Sequence, residues 1–322
     1  MSSMNSLVSV VIPTRNRPEL LLRALRSALR QTLREIEVIV VIDGEEGSAS
    51  AEAVASLHEN RVRCIEQRQQ AGGSEARNIG IRYAKSPWIA LLDDDDEWLP
   101  LKLEVQMNAI AGYTGEKLVV VTCQHIYRAG GADDVVRPRR LPQPDEAPSE
   151  FMFDYLCYFQ TSTFVASKEL MLKIPFTKDL PFFHDIDWFL RALREPGSQL
   201  IVVPQPLSIY YAPEKRSTIT SGVQWKARIA WGRANRHLMS KRGYSRFIVG
   251  SCVGPAVHDR AGLRGFYRLL YECAIIGSPT SNLLLLLCGT FCLRPALRKK
   301  LRDRFLLRRP DIQVTPEQQS IS

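Results

Sequence analysis

The chain has 322 residues, with 43 Lys and Arg against 34 Asp and Glu, 45% apolar residues and 8% aromatic ones. At roughly 100–200 residues per domain the length allows about two domains, or one large domain with an extension, and the apolar fraction excludes disordered and fibrous chains. The net charge of +9 does not mark a nucleic-acid binder, because residues 260–309 hold eleven Lys and Arg against two acids and carry all of the excess.

The first hundred residues alternate β-branched apolar runs with longer helical patterns, which predicts a parallel sheet built from βαβ units. Residues 8–12 (VSVVI) read as a strand stopped by Pro13, and 18–33 as a helix with leucines at 21, 22, 25, 29 and 33. A second strand, 37–42 (EVIVVI), stops at Asp43-Gly44. Then come a short helix over 49–57, a strand over 62–65, a helix over 74–84 and a strand over 88–92 (WIALL) that runs straight into Asp93-Asp94-Asp95-Asp96. In open α/β sheets ligands gather beyond the carboxyl ends of the strands. The suggestive residues all fall there.

Past Pro100 a helix over 101–110 leads to a strand over 118–123. Residues 137–148 hold four prolines in twelve positions and predict an exposed loop or linker. Residues 151–164 are dense in aromatics, 167–173 and 183–193 read as helices, and 204–211 as a last strand. From about residue 225 the chain is helical. Its two apolar runs, 266–276 and 283–293, are separated by GSPTSN. Eleven residues make about 17 Å of helix against a hydrocarbon core of about 30 Å, so the second run cannot span a bilayer. In the basic segment that follows, Leu297, Leu301 and Phe305 form a narrow apolar stripe among arginines, the pattern of an interfacial amphipathic helix. A peripheral place on an anionic membrane surface is therefore expected. The amino terminus lacks a basic start followed by a long apolar run, so secretion is not. The seven cysteines show no CxxC pair or zinc-ligand spacing and read as buried thiols in a reducing cytoplasm.

The acidic run is the sharpest signal. Adjacent carboxylates at the end of a buried strand repel one another unless a cation sits between them or they face water. If strand geometry persists, Asp93 and Asp95 face one side and Asp94 and Asp96 the other, so the first pair can offer oxygens to one divalent ion. Carboxylates with open water positions suit Mg2+ or Mn2+ bound together with a diphosphate. The run also fits a solvated acidic turn with Asp96 capping the helix after Pro100.

Taken in order, VSVVIPTRNRPELLLRALRSALRQT, EVIVVIDG, GGSEARNIGI, WIALLDDDDEWLP and FFHDIDWFLRAL make residues 7–215 resemble the family 2 glycosyltransferases. These have the nucleotide-sugar-binding fold and transfer a sugar with inversion. The resemblance implies an open, mixed, mainly parallel α/β sheet over residues 1–222, its first half (1–105) for donor and metal and its second (106–222) for the acceptor, with a helical, basic extension over 223–322. It places Pro13, Thr14, Arg15, Asp43, Arg77, Asp93 and Asp94 at the donor, Asp93 and Asp95 at a divalent metal, and Asp185 as general base. His184, Asp187 and Arg216 lie beside these positions. Arg77 follows a glycine turn whose helix start offers free N–H groups to an anion, although a surface arginine on an amphipathic helix has the same pattern. Asp185 also fits a helix cap, and Asp187, roughly 200° further round, cannot share its pocket.

The implied partners are a nucleoside-diphosphate sugar and a saccharide or lipid-linked hydroxyl acceptor, in surface polysaccharide or glycolipid synthesis at the cytoplasmic membrane face. Two alternatives are a nucleotidyltransferase that makes the activated sugar and a non-catalytic, membrane-tethered binding module. A nicotinamide-dependent dehydrogenase fails, because no GxGxxG follows the first strand.

Overall fold

The structure, a computed structural model, describes residues 6–44, 48–113, 118–130, 133–155, 157–212, 224–293, 296–298 and 300. These divide into two compact units, one of the described residues within 6–137 and 159–212 and one of those within 138–158 and 224–300.

The first unit is a sheet flanked by helices. Strands β1 (Val8–Thr14) and β2 (Ile36–Asp43) are buried along their whole length, as central parallel strands covered on both faces must be. With β3 (Val62–Gln67) and β4 (Trp88–Leu91) they form the parallel half, in the order β3-β2-β1-β4. The sheet then turns mixed. β8 (Val165–Ser167) runs antiparallel to both β4 and β6 (Val119–Arg128), β6 lies parallel to β9 (Gln199–Tyr211), and the two-residue β5 (Glu97–Trp98) closes the row on β9. β7 (Val135–Arg137) pairs with β6 alone. This is the open, mainly parallel mixed sheet expected from the sequence. Helices α1 (Pro18–Leu29), α2 (Ser48–Ala55), α3 (Gly72–Tyr83), α4 (Lys102–Ala111), α6 (Lys168–Lys173) and α7 (His184–Ala192) join the strands.

Prolines mark the strand ends less sharply than their sequence positions imply. β1 continues through Pro13 to Thr14. Val11 accepts from the Leu92 amide on the β4 side, and Pro13, two residues on, faces the same way past the last β1–β4 pair, so no ladder bond needs its missing N–H. β9 begins at Gln199 instead of 204, and Pro204 is absorbed where the β6–β9 register shifts between Cys123 and Gln124. A bulge tolerates such a residue.

The second unit is helical: α5 (Pro148–Met152), α8 (Trp225–Ala234), α9 (Lys241–Phe247), α10 (Val253–His258), α11 (Gly262–Tyr271) and α12 (Ser281–Cys292). The segment expected as an exposed linker is held here by charge. Arg140 donates to Glu146 and Asp154, and Arg246 to Glu146. Phe153, Trp231 and Phe247 pack edge-on and tilted beside them. Among the described residues no helix is long and apolar enough to cross a membrane. Of the predicted amphipathic stripe, Leu297 is exposed, while Leu301 and Phe305 lie outside the described residues. Cys123, Cys157, Cys252 and Cys273 are buried, but Cys64 and Cys292 are exposed. For Cys64 the reason is its place on β3, an edge strand of the sheet.

Candidate active site

Three parallel strands deliver their carboxyl ends to one region. β1 ends at Thr14, β2 at Asp43, and β4 runs into Asp93–Asp96. β4 ends at Leu91 and residues 93–96 form a turn, with the Asp96 amide donating to the Asp93 carbonyl at 3.1 Å, so the strand geometry considered for the run does not persist; exposure still alternates, with Asp93 and Asp95 partly exposed and Asp94 and Asp96 buried. Each buried carboxylate has a hydroxyl donor, Thr14 Oγ1 to Asp94 Oδ2 at 2.8 Å and Ser162 Oγ to Asp96 Oδ2 at 2.6 Å. Each partly exposed carboxylate has an arginine, Arg77 on Asp93 at 2.5 Å and Arg17 on Asp95 at 3.2 Å, with Arg17 also reaching Asp94 at 3.2 Å.

Burial pushes the Asp94 carboxyl up to about 6, against the pull of Thr14 and Arg17. Burial, helped by the neighbouring Asp93 and Asp95, holds Asp96 well above the usual carboxylate range. Arg17, Arg77 and Arg23, which donates to the Asp95 carbonyl, all reach a run of hard oxygen donors, the kind a divalent cation takes. Among the described residues no three His, Cys, Asp or Glu side chains converge on one metal position.

The glycine turn before α3 is fixed by Asp43. Its two carboxylate oxygens accept the Ala71 amide at 2.6 Å and the Gly72 amide at 2.9 Å, while Gly72 takes φ +82°, the left-handed region where glycine is unstrained. Arg77 stands on the first turns of α3, buried and facing the acidic run. Next to it, Asn78 donates to the Phe176 carbonyl at 2.9 Å and accepts its amide at 2.8 Å, tying α3 to the segment ahead of α7.

Asp185 is the second residue of α7, and no side chain caps that helix; its N-cap position is Phe183, in left-handed conformation at φ 58°. For a bulky aromatic residue this conformation costs energy, and it aims the helix start. Asp185 accepts from the Ile186 amide at 2.8 Å. Burial pushes its carboxyl up to about 6, with Asp93 raising and Arg77 lowering it, which places all three within electrostatic reach of one another. His184 senses the same groups and is lowered, first by burial and then by Arg77. Burial, followed by Asp96 and Asp95, takes the Tyr210 phenol up to about 12. Asp187 faces elsewhere, accepting from Thr177 at 2.7 Å and pairing with Arg191 at 2.8 Å. Pro13 is buried in β1, Arg15 is exposed in the loop after it, and Arg216 lies outside the described residues.

Three partners of the acidic turn, Arg17, Ser162 and Arg23, which donates to the Asp95 carbonyl at 2.5 Å, escape sequence reasoning. Arg17 sits in the PTRNR stretch, but nothing local says that it reaches residues 94 and 95. Ser162 accepts the Asp93 amide at 3.0 Å while donating to Asp96, across more than sixty residues of chain, with no sequence signal at all. Ser162→Ala removes both bonds from a buried carboxylate turn. It is expected to cost about 1–3 kcal/mol, read as a lower midpoint of urea unfolding; an unchanged midpoint would show that the turn holds itself.

The profile of the family described as "Glycosyl transferase family 2" matches residues 9–175. The chain belongs to this family. Its curated relatives include the amylovoran biosynthesis glycosyltransferase AmsB of Erwinia amylovora, 26% identical over 73% of this chain and 79% of the relative. The putative colanic acid biosynthesis glycosyl transferase WcaA of Escherichia coli is 30% identical over 60% and 68%. Among solved structures, S. aureus TarS 1-349 in complex with UDP-GlcNAc superposes with a TM-score of 0.62 at 14% identity, covering 93% of this chain and 91% of that one. The mannosyltransferase PcManGT of Pyrobaculum calidifontis, in complex with GDP-Man and Mn2+, gives 0.52 at 20% identity over 93% and 84%. This family 2 chain is a glycosyltransferase, and neither the nucleotidyltransferase nor the binding-module alternative is favoured.

Proposed function

We propose that this glycosyltransferase moves a sugar from a nucleoside-diphosphate donor to a hydroxyl acceptor, with inversion, in the synthesis of a surface polysaccharide or glycolipid. The observation that carries the reading is the Arg77–Asp93 pair beyond the carboxyl ends of β1, β2 and β4, with Asp185 within electrostatic reach of both. The relatives named for amylovoran and colanic acid biosynthesis support the polysaccharide setting. The neighbours in complex with UDP-GlcNAc and GDP-Man support a nucleotide sugar. Thr14, Asp43 and the loop at Pro13 and Arg15 hold the nucleoside side of the donor, and Arg77 the diphosphate.

Asp185 removes the proton of the acceptor hydroxyl as that oxygen attacks the anomeric carbon and the diphosphate leaves from the opposite face. A base whose pKa lies near 6 is ionised at neutral pH yet basic enough to take a proton in flight. Arg77 meets the charge that grows on the leaving group, in a site where such a pair is worth more than in water. Asp93 and Asp95 would hold Mg2+ or Mn2+, which supplies further charge neutralisation at the diphosphate. The basic carboxyl-terminal segment keeps the enzyme on an anionic membrane surface at the cytoplasmic face, where lipid-linked acceptors are found.

Thermal-shift screening of UDP, GDP and dTDP sugars, with and without Mn2+, tests the donor reading; no stabilisation by any of them would overturn it. Calorimetry of the binding sugar in EDTA is expected to show at least a tenfold loss of affinity, ~1.4 kcal/mol. Equal affinity in EDTA would remove the metal from the account.

A further inference from the structure

On α11 and the wide helical turn that continues it over Glu272–Ile276, four large apolar side chains stand in one row in water. They are Leu263 (74% exposed), Tyr267 (63%), Tyr271 (50%) and Ile275 (68%), each four residues after the last. In an α-helix the row would drift round the axis, since four residues turn by more than a full circle. The wider turn advances each residue by less and swings Ile275 back towards the line of Tyr267. The opposite side of the same helix is already anchored: Leu269, Cys273 and Glu272 are fully buried, and Glu272 accepts from Tyr244 Oη at 2.7 Å and pairs with Arg233. The row is therefore surplus to the helical unit's own core. An apolar strip of this size on a rigid support marks a contact surface.

Its chemistry selects the occupant. Arg260, Arg264 and Arg268 are exposed alongside the row, and Asp259 is the exposed acid near them. Tyrosines with an apolar ring and a polar tip, flanked by arginines, suit the boundary between lipid headgroups and acyl chains. A second copy of the chain fits poorly, because a two-fold pairing of this helix sets arginine against arginine. We infer that the α11 face, Leu263, Tyr267, Tyr271 and Ile275 with Arg264 and Arg268, lies flat on an anionic lipid surface as the membrane-contact face of the enzyme. The inference rests on the membrane reading under the proposed function and gives it a location, distinct from the basic segment after residue 293.

Flotation of the full chain with vesicles of phosphatidylcholine alone, or with phosphatidylglycerol added, tests it. The wild-type protein is expected to float with the anionic vesicles only, and less at 0.5 M salt, where screening shortens the reach of charge. Tyr267→Ser with Tyr271→Ser, and separately Arg264→Gln with Arg268→Gln, should each lower the bound fraction tenfold or more. Because these side chains are exposed, melting temperature and nucleotide-sugar thermal shifts should stay at wild-type values. Full flotation of both double variants would overturn the α11 face while leaving the membrane reading standing, and absence of wild-type flotation would overturn both. Equal binding to neutral vesicles would remove the anionic chemistry. A wild-type dimer that the tyrosine variant converts to monomer would give the face to a second copy instead.

Discussion

Asp185→Asn is expected to lower sugar transfer by about 10²–10⁴, the range for a lost general base, while donor affinity measured by calorimetry stays within a factor of about two. The separation follows from the site. The amide keeps the size of the side chain and an oxygen for the Ile186 amide but cannot hold the acceptor's proton. The pH profile adds a second reading. With burial pushing the carboxyl up to about 6, the wild-type rate should fall roughly tenfold per unit below that pH, and the residual activity of the variant should be flat there. Stability moves the other way. A carboxyl that binds its proton more tightly when folded than when unfolded contributes most at low pH, and this contribution fades as the pH rises from about 4 through about 6. A variant that keeps most of its turnover would reduce Asp185 to a structural residue of the α7 start.

Trp188→Ala should carry the largest cost in stability, about 3–5 kcal/mol by the usual scale for buried aromatic truncation, seen as a lower midpoint of denaturant unfolding. Trp188 is fully buried, stacks on Phe176 at 5.4 Å between centroids, leans on Phe164 at 5.6 Å and donates its indole N–H to the Ile174 carbonyl at 2.8 Å. Phe164 in turn stacks on Phe189. This cluster seats α7, so the truncation should also lower turnover by loosening the helix that presents Asp185. Trp188→Phe should recover part of both effects. A loss below about 1 kcal/mol would mean that the cluster repacks freely and that α7 is held elsewhere.

The central parallel strands β1, β2 and β4 are legible because they are mostly apolar on both faces and each ends on a chemically distinct residue. The run WIALL breaking into four aspartates needs little beyond alternation and electrostatics to be noticed. Thr14, Arg77 and Asp185 come into view through a series of motifs in order, and the structure brings Thr14 against Asp94 and Arg77 against Asp93. What stays hidden depends on contacts far apart in the chain. Arg17 looks like any arginine before a helix until Asp94 and Asp95 are folded over it, and Ser162 lies in a short turn of ordinary composition. The prolines misdirect for a related reason. Whether Pro13 or Pro204 ends a strand depends on which neighbour would have used its N–H, and that is a property of the sheet. Residues 137–148 read as a linker by composition, and only the arginine and carboxylate pairs of the folded helical unit claim them.

The clamp that Asp43 places on the Ala71 and Gly72 amides bears on how quickly those two protons leave for solvent. Ala71 precedes α3 and Gly72 opens it, positions whose amides have no partner within the helix and ordinarily exchange fast, yet each is held by a carboxylate anchored at the end of a central strand. Their exchange should follow the opening of the sheet instead of the fluctuation of a loop. The turn proposed to face the donor diphosphate would then be as durable as the core, already shaped before any nucleotide arrives.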